Sequence, residues 1–204
     1  MISKITDAIW SWTNSRAEVE PDTIPFRIEQ PDYLFRRFPK GSTSLLDVGV
    51  GNGWLGNLAK LYHPNMTVIE GIEAYKDSVL KAEKFYTHIY NDTVDNVFKT
   101  LPSKKYDVVT CINTIEHFER PLAVLEEMER VAKKAVFVIT LNFYYQQGDY
   151  GGNTYQRHLS VIPSTVLKKR GYTVRPNGKL VETFGVVAKF FPRLDSQYIG
   201  WKYF

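Results

Sequence analysis

"LLDVGVGNGWLG", residues 45–56, holds two overlapping glycine patterns, and the choice between them decides how the chain is read. Gly51-x-Gly53-x-x-Gly56 spells a dinucleotide-binding turn, in which glycines let a pyrophosphate approach the backbone at a helix N-terminus. Asp47-x-Gly49-x-Gly51-x-Gly53 spells something else, because it places a carboxylate at the end of the strand that feeds the turn. At about 6 Å and an effective dielectric near 20, that carboxylate repels each phosphate charge by roughly 3 kcal/mol. A diphosphate is therefore a poor guest, and a cationic ligand without phosphate is a good one. Asp47 also has a plainer reading, as the cap of the following helix.

Outward from this turn, strand and helix patterns alternate. "SLLDVG" (44–49) reads as a buried strand, followed by a helix over about 52–61. "MTVIEGI" (66–72) is the next strand and "KDSVLKAEKF" (76–85) the next helix, while "THIYN" (87–91) is short and ambiguous. "YDVVTCI" (106–112) and "AVFVITL" (135–141) are strands rich in β-branched residues. "PLAVLEEMERVAKK" (121–134) is the clearest helix, with Pro121 in its first turn and Leu122, Leu125, Met128 and Val131 along one face. Lys133 and Lys134 then suit its negative end. "PSTVLKKRGY" (163–172) reads as a helix closed by Gly171, and "YTVRP" (172–176) pairs with "FGVVAKFF" (184–191) as an antiparallel hairpin. Repeated βα units followed by a hairpin imply an α/β, doubly wound, mostly parallel sheet. Residues 41–191 form that core. Residues 1–40 form a helical extension with Ile2, Ile5, Ile9 and Trp12 at helical spacing, and 192–204 an aromatic tail.

Composition narrows the setting. A single cysteine, Cys111, rules out an internal disulfide and suits a reducing compartment. The longest mainly apolar run, residues 135–141, is too short to span a bilayer. The expected location is cytoplasmic. The net charge of +4 is uneven, since residues 150–204 hold nine Lys and Arg against two acids. Lys168, Lys169, Arg170, Arg175 and Lys179 form its densest group, read as a solvated helix face or as a surface for an anionic partner such as RNA.

The Asp-x-Gly-x-Gly-x-Gly motif resembles the first motif of the class I S-adenosylmethionine-dependent methyltransferases, and the resemblance covers roughly residues 41–190. It implies a Rossmann-like, seven-stranded fold, S-adenosylmethionine as cofactor, and Asp47, Gly49, Gly51 and Gly53 as cofactor-binding residues. Within the resemblance, Glu73 in "VIEGIEAY" matches the acid that holds both ribose hydroxyls, a task suited to a carboxylate's paired acceptors. Glu70 takes that role if the strand register differs. Asp92 in "YNDTV" matches the acceptor for the adenine amino group, or is a turn or capping residue. Asn113 in "YDVVTCINTIEHFERP" would face the methionine moiety. The Glu-His that follows resembles the branch that methylates quinones and other small molecules.

The expected reaction is methyl transfer to oxygen or nitrogen of a small-molecule acceptor. His117, after the fourth strand, and His158, after the fifth, are candidate catalytic bases, with each also readable as a structural histidine. The 19-residue stretch "NFYYQQGDYGGNTYQRHLS" (142–160) has the length of a functional lid, and Tyr144, Tyr145, Tyr150 and Tyr155 are candidates to wall a flat acceptor. His63 and His88 read as structural, and Arg27, Arg36 and Arg37 as candidates for the cofactor carboxylate. No metal ligand is assigned. Three other readings compete. In metal-dependent methyltransferases of RNA 3′-terminal ribose the motif is Glu-x-x-Glu-His; Asn113 here replaces its first carboxylate, which weakens a hard-cation site. A nicotinamide-dependent oxidoreductase would use the GxGxxG spelling but lacks an evident hydride-transfer site. A non-catalytic binding module would keep the fold alone.

Overall fold

The computed structural model describes residues 31–142, 144, 146–149, 151–177 and 197–204. The N-terminal helix expected around Ile2–Trp12, Arg27, Lys179, Tyr145, Tyr150 and the expected strand "FGVVAKFF" lie outside them.

In chain order the elements are α1 (Pro31–Phe35), β1 (Ser44–Val48), α2 (Trp54–Tyr62), β2 (Val68–Ile72), α3 (Lys76–Ala82) and β3 (His88–Tyr90). Then follow α4 (Val94–Thr100), β4 (Tyr106–Ile112), α5 (Pro121–Val131), β5 (Ala132–Leu141), α6 (Ser164–Lys169), β6 (Thr173–Pro176) and β7 (Gln197–Tyr203). They build a seven-stranded sheet in the order β3-β2-β1-β4-β5-β7-β6. The first five strands in that order are parallel, and β7 runs antiparallel to both β5 and β6. This is the Rossmann-like α/β fold that the sequence implies.

β1 is buried along its whole length, as a central parallel strand covered on both faces must be. One face of the sheet packs Val97, Phe98, Leu125, Met128 and Leu167 from α4, α5 and α6. The other packs Leu34, Phe35, Leu55, Ala59 and Ala82 from α1, α2 and α3. Alternation along β5 serves both, with Val136 and Val138 on the first side and Phe137 and Ile139 on the second. The strand order reverses between β1 and β4, so a crevice opens beyond their carboxyl ends, where such folds bind ligands.

Three expectations need correction. First, the C-terminal end is part of the sheet: β7 pairs with β6 from Thr173–Trp201 to Pro176–Tyr198 and with β5 from Ala135–Tyr203 to Leu141–Gln197. The stretch read as an aromatic tail thus supplies a strand, because Tyr198, Ile199 and Trp201 bury their side chains in the sheet. Second, α5 ends at Val131, and Lys133 and Lys134 belong to β5. Lys134 pairs with Asp107 at 3.2 Å and donates to the Gly41 carbonyl, partners that a strand at the start of β5 offers. Third, Val124 stands on the buried face of α5 beside Leu125, Met128 and Val131, whereas Leu122 is 37% exposed.

Candidate functional site

A cavity of about 630 Å³ occupies the crevice, a size ordinary for a site holding a cofactor-sized ligand. Its floor is the glycine turn after β1 and its walls come from the ends of β2, β3 and β4. Asp47, Gly49, Gly51, Glu73, Asp92, Asn113 and His117 all line it, so seven of the nine sequence-selected positions meet in one space. Gly53 sits just behind, as the left-handed N-cap of α2 (φ 86°). His158 is the second that does not line it.

The glycine amides of the turn weigh against a phosphate. A diphosphate site needs free backbone N–H groups. Here all four glycine amides are spent: Gly49 N–H donates to the Ile72 carbonyl at 2.9 Å and Gly53 N–H to the Val50 carbonyl at 3.1 Å. Gly51 N–H donates to Glu73 Oε2 at 2.9 Å, and Gly56 N–H to the Tyr86 hydroxyl at 3.0 Å. The third glycine of the GxGxxG spelling therefore serves ring packing: a Cβ at Gly56 would stand 2.5 Å from the Tyr86 ring. Gly49 meets a similar constraint, since a Cβ there would fall 2.2 Å from the Thr114 side chain at φ +83°.

Asp47 is 1% exposed. Its Oδ2 accepts the Tyr86 O–H at 2.6 Å and its Oδ1 the Thr110 O–H at 3.0 Å. Burial pushes its pKa up to about 7, against those two hydrogen bonds, and the neighbouring Glu73 charge pushes the same way. Glu73 is fixed by backbone donors on both oxygens, Gly51 N–H to Oε2 and Tyr75 N–H to Oε1, each 2.9 Å. Burial raises its pKa also, with those donors opposing. Two desolvated carboxylates on one cavity wall favour a cation arriving between them. Glu70, the alternative to Glu73, stays out of the cavity. Its Oε2 accepts Lys105 Nζ at 2.8 Å, the Tyr90 O–H at 2.9 Å and the Tyr106 O–H, and these donors outweigh burial to lower its pKa.

Asp92 is exposed on the cavity rim, where Oδ1 accepts Thr93 N–H at 2.6 Å and Asn96 Nδ2–H at 3.0 Å. Those donors, Asn96 first, lower its pKa. The turn reading of this residue is thus realised at Oδ1 alongside its place in the cavity wall. Asn113 takes a left-handed conformation (φ 49°), which asparagine tolerates better than most residues. Its Oδ1 accepts Gln197 Nε2–H at 3.1 Å, so β7 reaches across to steady the site.

His117 ends a short 3₁₀ turn, Ile115–His117. Its Nδ1 lies 2.9 Å from the Arg157 carbonyl, which can only accept, so Nδ1 carries the proton and Nε2 is left basic in the neutral ring. Burial lowers its pKa, outweighing the Arg157 and Asn113 carbonyls that face the ring, and the His158 charge adds to the effect. His158 does not share the cavity wall. It is buried behind His117, ring to ring at 4.9 Å, where the loop backbone seats it: its N–H donates to the Gln147 carbonyl and its carbonyl accepts the Tyr144 O–H. Glu116, the carboxylate that a metal-dependent reading pairs with His117, faces inward to the Thr140 hydroxyl at 3.0 Å, and burial raises its pKa to about 7. Among the described residues no group of three His, Cys, Asp or Glu is placed to hold a metal ion.

Among the described residues of the 142–160 stretch, Gly151, Asn153, Tyr155, Gln156 and Leu159 line the cavity. It is fastened below by Leu159 and Ser160 N–H to the Glu116 carbonyl, at 2.9 and 3.0 Å. Tyr155 faces the cavity, whereas Tyr144 does not line it. Arg36 and Arg37 lie elsewhere, the Arg37 guanidinium stacking 3.3 Å over the Tyr33 ring. His63 is structural as expected, its Nε2 bonded to the Phe35 carbonyl at 2.9 Å. Lys168, Lys169, Arg170 and Arg175 are also off the cavity wall. Tyr86, Thr110 and Gln197 went unmarked in the sequence because no local spacing announces a contact made across the sheet.

Residues 25–175 match the methyltransferase domain family, and the chain belongs to it. It is 26% identical over 151 residues to a ubiquinone biosynthesis O-methyltransferase of Nitrosomonas europaea, covering 69% of this chain and 62% of that one. The chain thus spans a little under two thirds of the length of the curated relatives it matches. Among solved structures, a SAM-dependent methyltransferase from Archaeoglobus fulgidus superposes with a TM-score of 0.61 at 18% identity, covering 87% of this chain and 94% of that one. The plantazolicin methyltransferase BpumL in complex with SAH follows at 0.55 and 16%, with 83% and 78% covered. No helix among the described residues is long and apolar enough to cross a membrane.

Proposed function

We propose that this chain is an S-adenosylmethionine-dependent methyltransferase acting on oxygen or nitrogen of a small-molecule acceptor. The observation that carries the proposal is the pairing of two desolvated carboxylates, Asp47 and Glu73, with a glycine turn whose amides are already engaged. Such a floor disfavours phosphate and favours an ammonium-bearing nucleoside. Asp47 would hold the methionine ammonium, Glu73 the ribose hydroxyls, Asp92 the adenine amino group, and Asn113 the methionine moiety.

The donor supplies an activated methyl group, so the protein mainly aligns the partners and excludes water. His117 stands between the donor end and the 142–160 stretch, with Nε2 as the site that accepts the acceptor's proton as the new bond forms. His158 behind it is a positioning residue, limiting rotation of the His117 ring. Tyr155, Gln156 and Leu159 form the acceptor wall. A cytoplasmic enzyme of small-molecule metabolism fits this reading. RNA is a less supported acceptor, because the basic group on α6 and β6 is not part of the cavity wall.

The test is a thermal-shift panel with S-adenosylmethionine, S-adenosylhomocysteine, NAD and NADP. Stabilisation by the two adenosyl-sulfur ligands is expected, and stabilisation by a nicotinamide nucleotide alone would overturn the proposal. Two further outcomes follow from the geometry. A cationic donor selects ionised Asp47, so affinity rises as pH climbs through about 7. Calorimetry should find it roughly tenfold weaker at pH 6 than at 7.5, and a flat profile would remove Asp47 from the ammonium site. Tyr155→Ala should raise the acceptor KM by about tenfold, the scale of one lost aromatic contact, and leave donor affinity unchanged by calorimetry.

A further inference from the structure

Tyr86 lies outside every motif the sequence displays, yet its side chain is held by two hydrogen bonds beneath the cavity. The residue is 7% exposed and precedes β3. Its ring is seated where two glycines leave room: a Cβ at Gly56 would approach it to 2.5 Å, and one at Gly71 to 3.2 Å. Its hydroxyl joins two groups at once, accepting Gly56 N–H from the first turn of α2 at 3.0 Å and donating to Asp47 Oδ2 at 2.6 Å. The hydroxyl has one hydrogen, and the Gly56 amide can only donate, so the direction of this chain is fixed. The positive end of α2 is thereby relayed onto the carboxylate that faces the donor.

We infer that Tyr86 is a positioning residue for donor binding, holding Asp47 ionised and aimed at the ammonium through the Gly56–Tyr86–Asp47 hydrogen-bond chain. This rests on the donor reading above. Thr110 donates from the other side, its hydroxyl 3.0 Å from Oδ1 and 3.3 Å from the Leu46 carbonyl, so Asp47 has a hydroxyl partner at each oxygen. The titratable groups that face Asp47 are Tyr86, Glu73 beyond β2 and Cys111 on β4; α2 contributes its backbone through Tyr86. Burial and Glu73 work against the charge, and burial together with Asp47 keeps the Tyr86 hydroxyl itself protonated. Glu73 titrates in the same cavity, but its donors from Gly51 and Tyr75 are independent of Tyr86. A change at Tyr86 therefore reads out on Asp47.

The experiment compares the full chain with Y86F and T110V, measuring S-adenosylhomocysteine affinity by calorimetry from pH 5.5 to 8.5. In Y86F the ring still fills the space between the two glycines, and only the relay is lost. The midpoint at which affinity rises should move up by about one to two pH units, with roughly tenfold weaker binding at pH 7 and convergence at high pH. T110V should shift it the same way. The Asp47 side-chain carbon, followed by NMR in ligand-free protein, should titrate with the same displacement. A merely structural Tyr86 would lower thermal stability and leave the midpoint and the carbon titration where they are, and that result overturns the inference. If the unmutated chain does not bind the ligand at any pH, the donor reading fails; an unshifted carbon titration in Y86F then fails the relay separately.

Discussion

Asp47→Asn should stabilise the ligand-free protein at pH 8 while removing most of its affinity for the donor. The ionised carboxylate is 1% exposed, and its pKa near 7 means that the folded chain keeps the proton to higher pH than the unfolded chain does. For an acid shifted upward, stability is highest below the unfolded value near 4 and falls as pH rises toward the folded one. A neutral amide escapes that penalty, so a gain on the order of 1–3 kcal/mol is expected at pH 8 by chemical denaturation. The gain should shrink to about a third of that at pH 5 and vanish only below about pH 4, where Asp47 is protonated in the folded and the unfolded chain alike. Donor affinity should fall about a hundredfold, because an ammonium loses its charged partner in a desolvated site. A variant less stable at pH 8 would show that the hydrogen bonds from Tyr86 and Thr110 outweigh the cost of burying the charge.

Glu73→Ala should weaken donor binding by about 1.5–3 kcal/mol, the scale of hydrogen bonds to a charged acceptor. The structure adds a second reason, since Glu73 Oε2 also ties down the Gly51 amide. The alanine variant frees that N–H at the mouth of the turn, so weak affinity for inorganic phosphate should appear as donor affinity declines. Glu73→Gln separates the two effects: its amide oxygen can still accept from the turn, restoring loop order without the charge. Unchanged affinity in the alanine variant would return the ribose contact to another acid, although Glu70 is held by Lys105, Tyr90 and Tyr106.

Much of this site is legible in the sequence because it is local. Asp47, Gly49, Gly51 and Gly53 lie within seven residues of one strand end, and Glu73 and Asn113 each sit just past a strand whose β-branched pattern is plain. What escaped is non-local. Tyr86 acts across 39 residues, and Gln197 reaches Asn113 across 84. β7 escaped for a related reason: Gly200 interrupts "QYIGWKY" and reads as a break. In the sheet a side chain there would meet Leu167 at 2.8 Å, so the gap is a packing requirement of α6. The end of α5 was misplaced because helical periodicity runs on through Lys133 and Lys134, while the ion pair that favours a strand there involves Asp107, distant in sequence. His117 and His158 were both visible, but which one faces the cavity depends on how the loop backbone threads beneath them.

The interleaving of β7 between β5 and β6 bears on how the protein is made. On a ribosome, β6 emerges before the strand it must dock against, and β5 waits with Ala135–Leu141 lacking an edge partner until Gln197–Tyr203 leaves the exit tunnel. Assembly of that flank therefore waits for residues 197–203, and a nascent chain stalled short of residue 197 presents an open, apolar strand edge to chaperones.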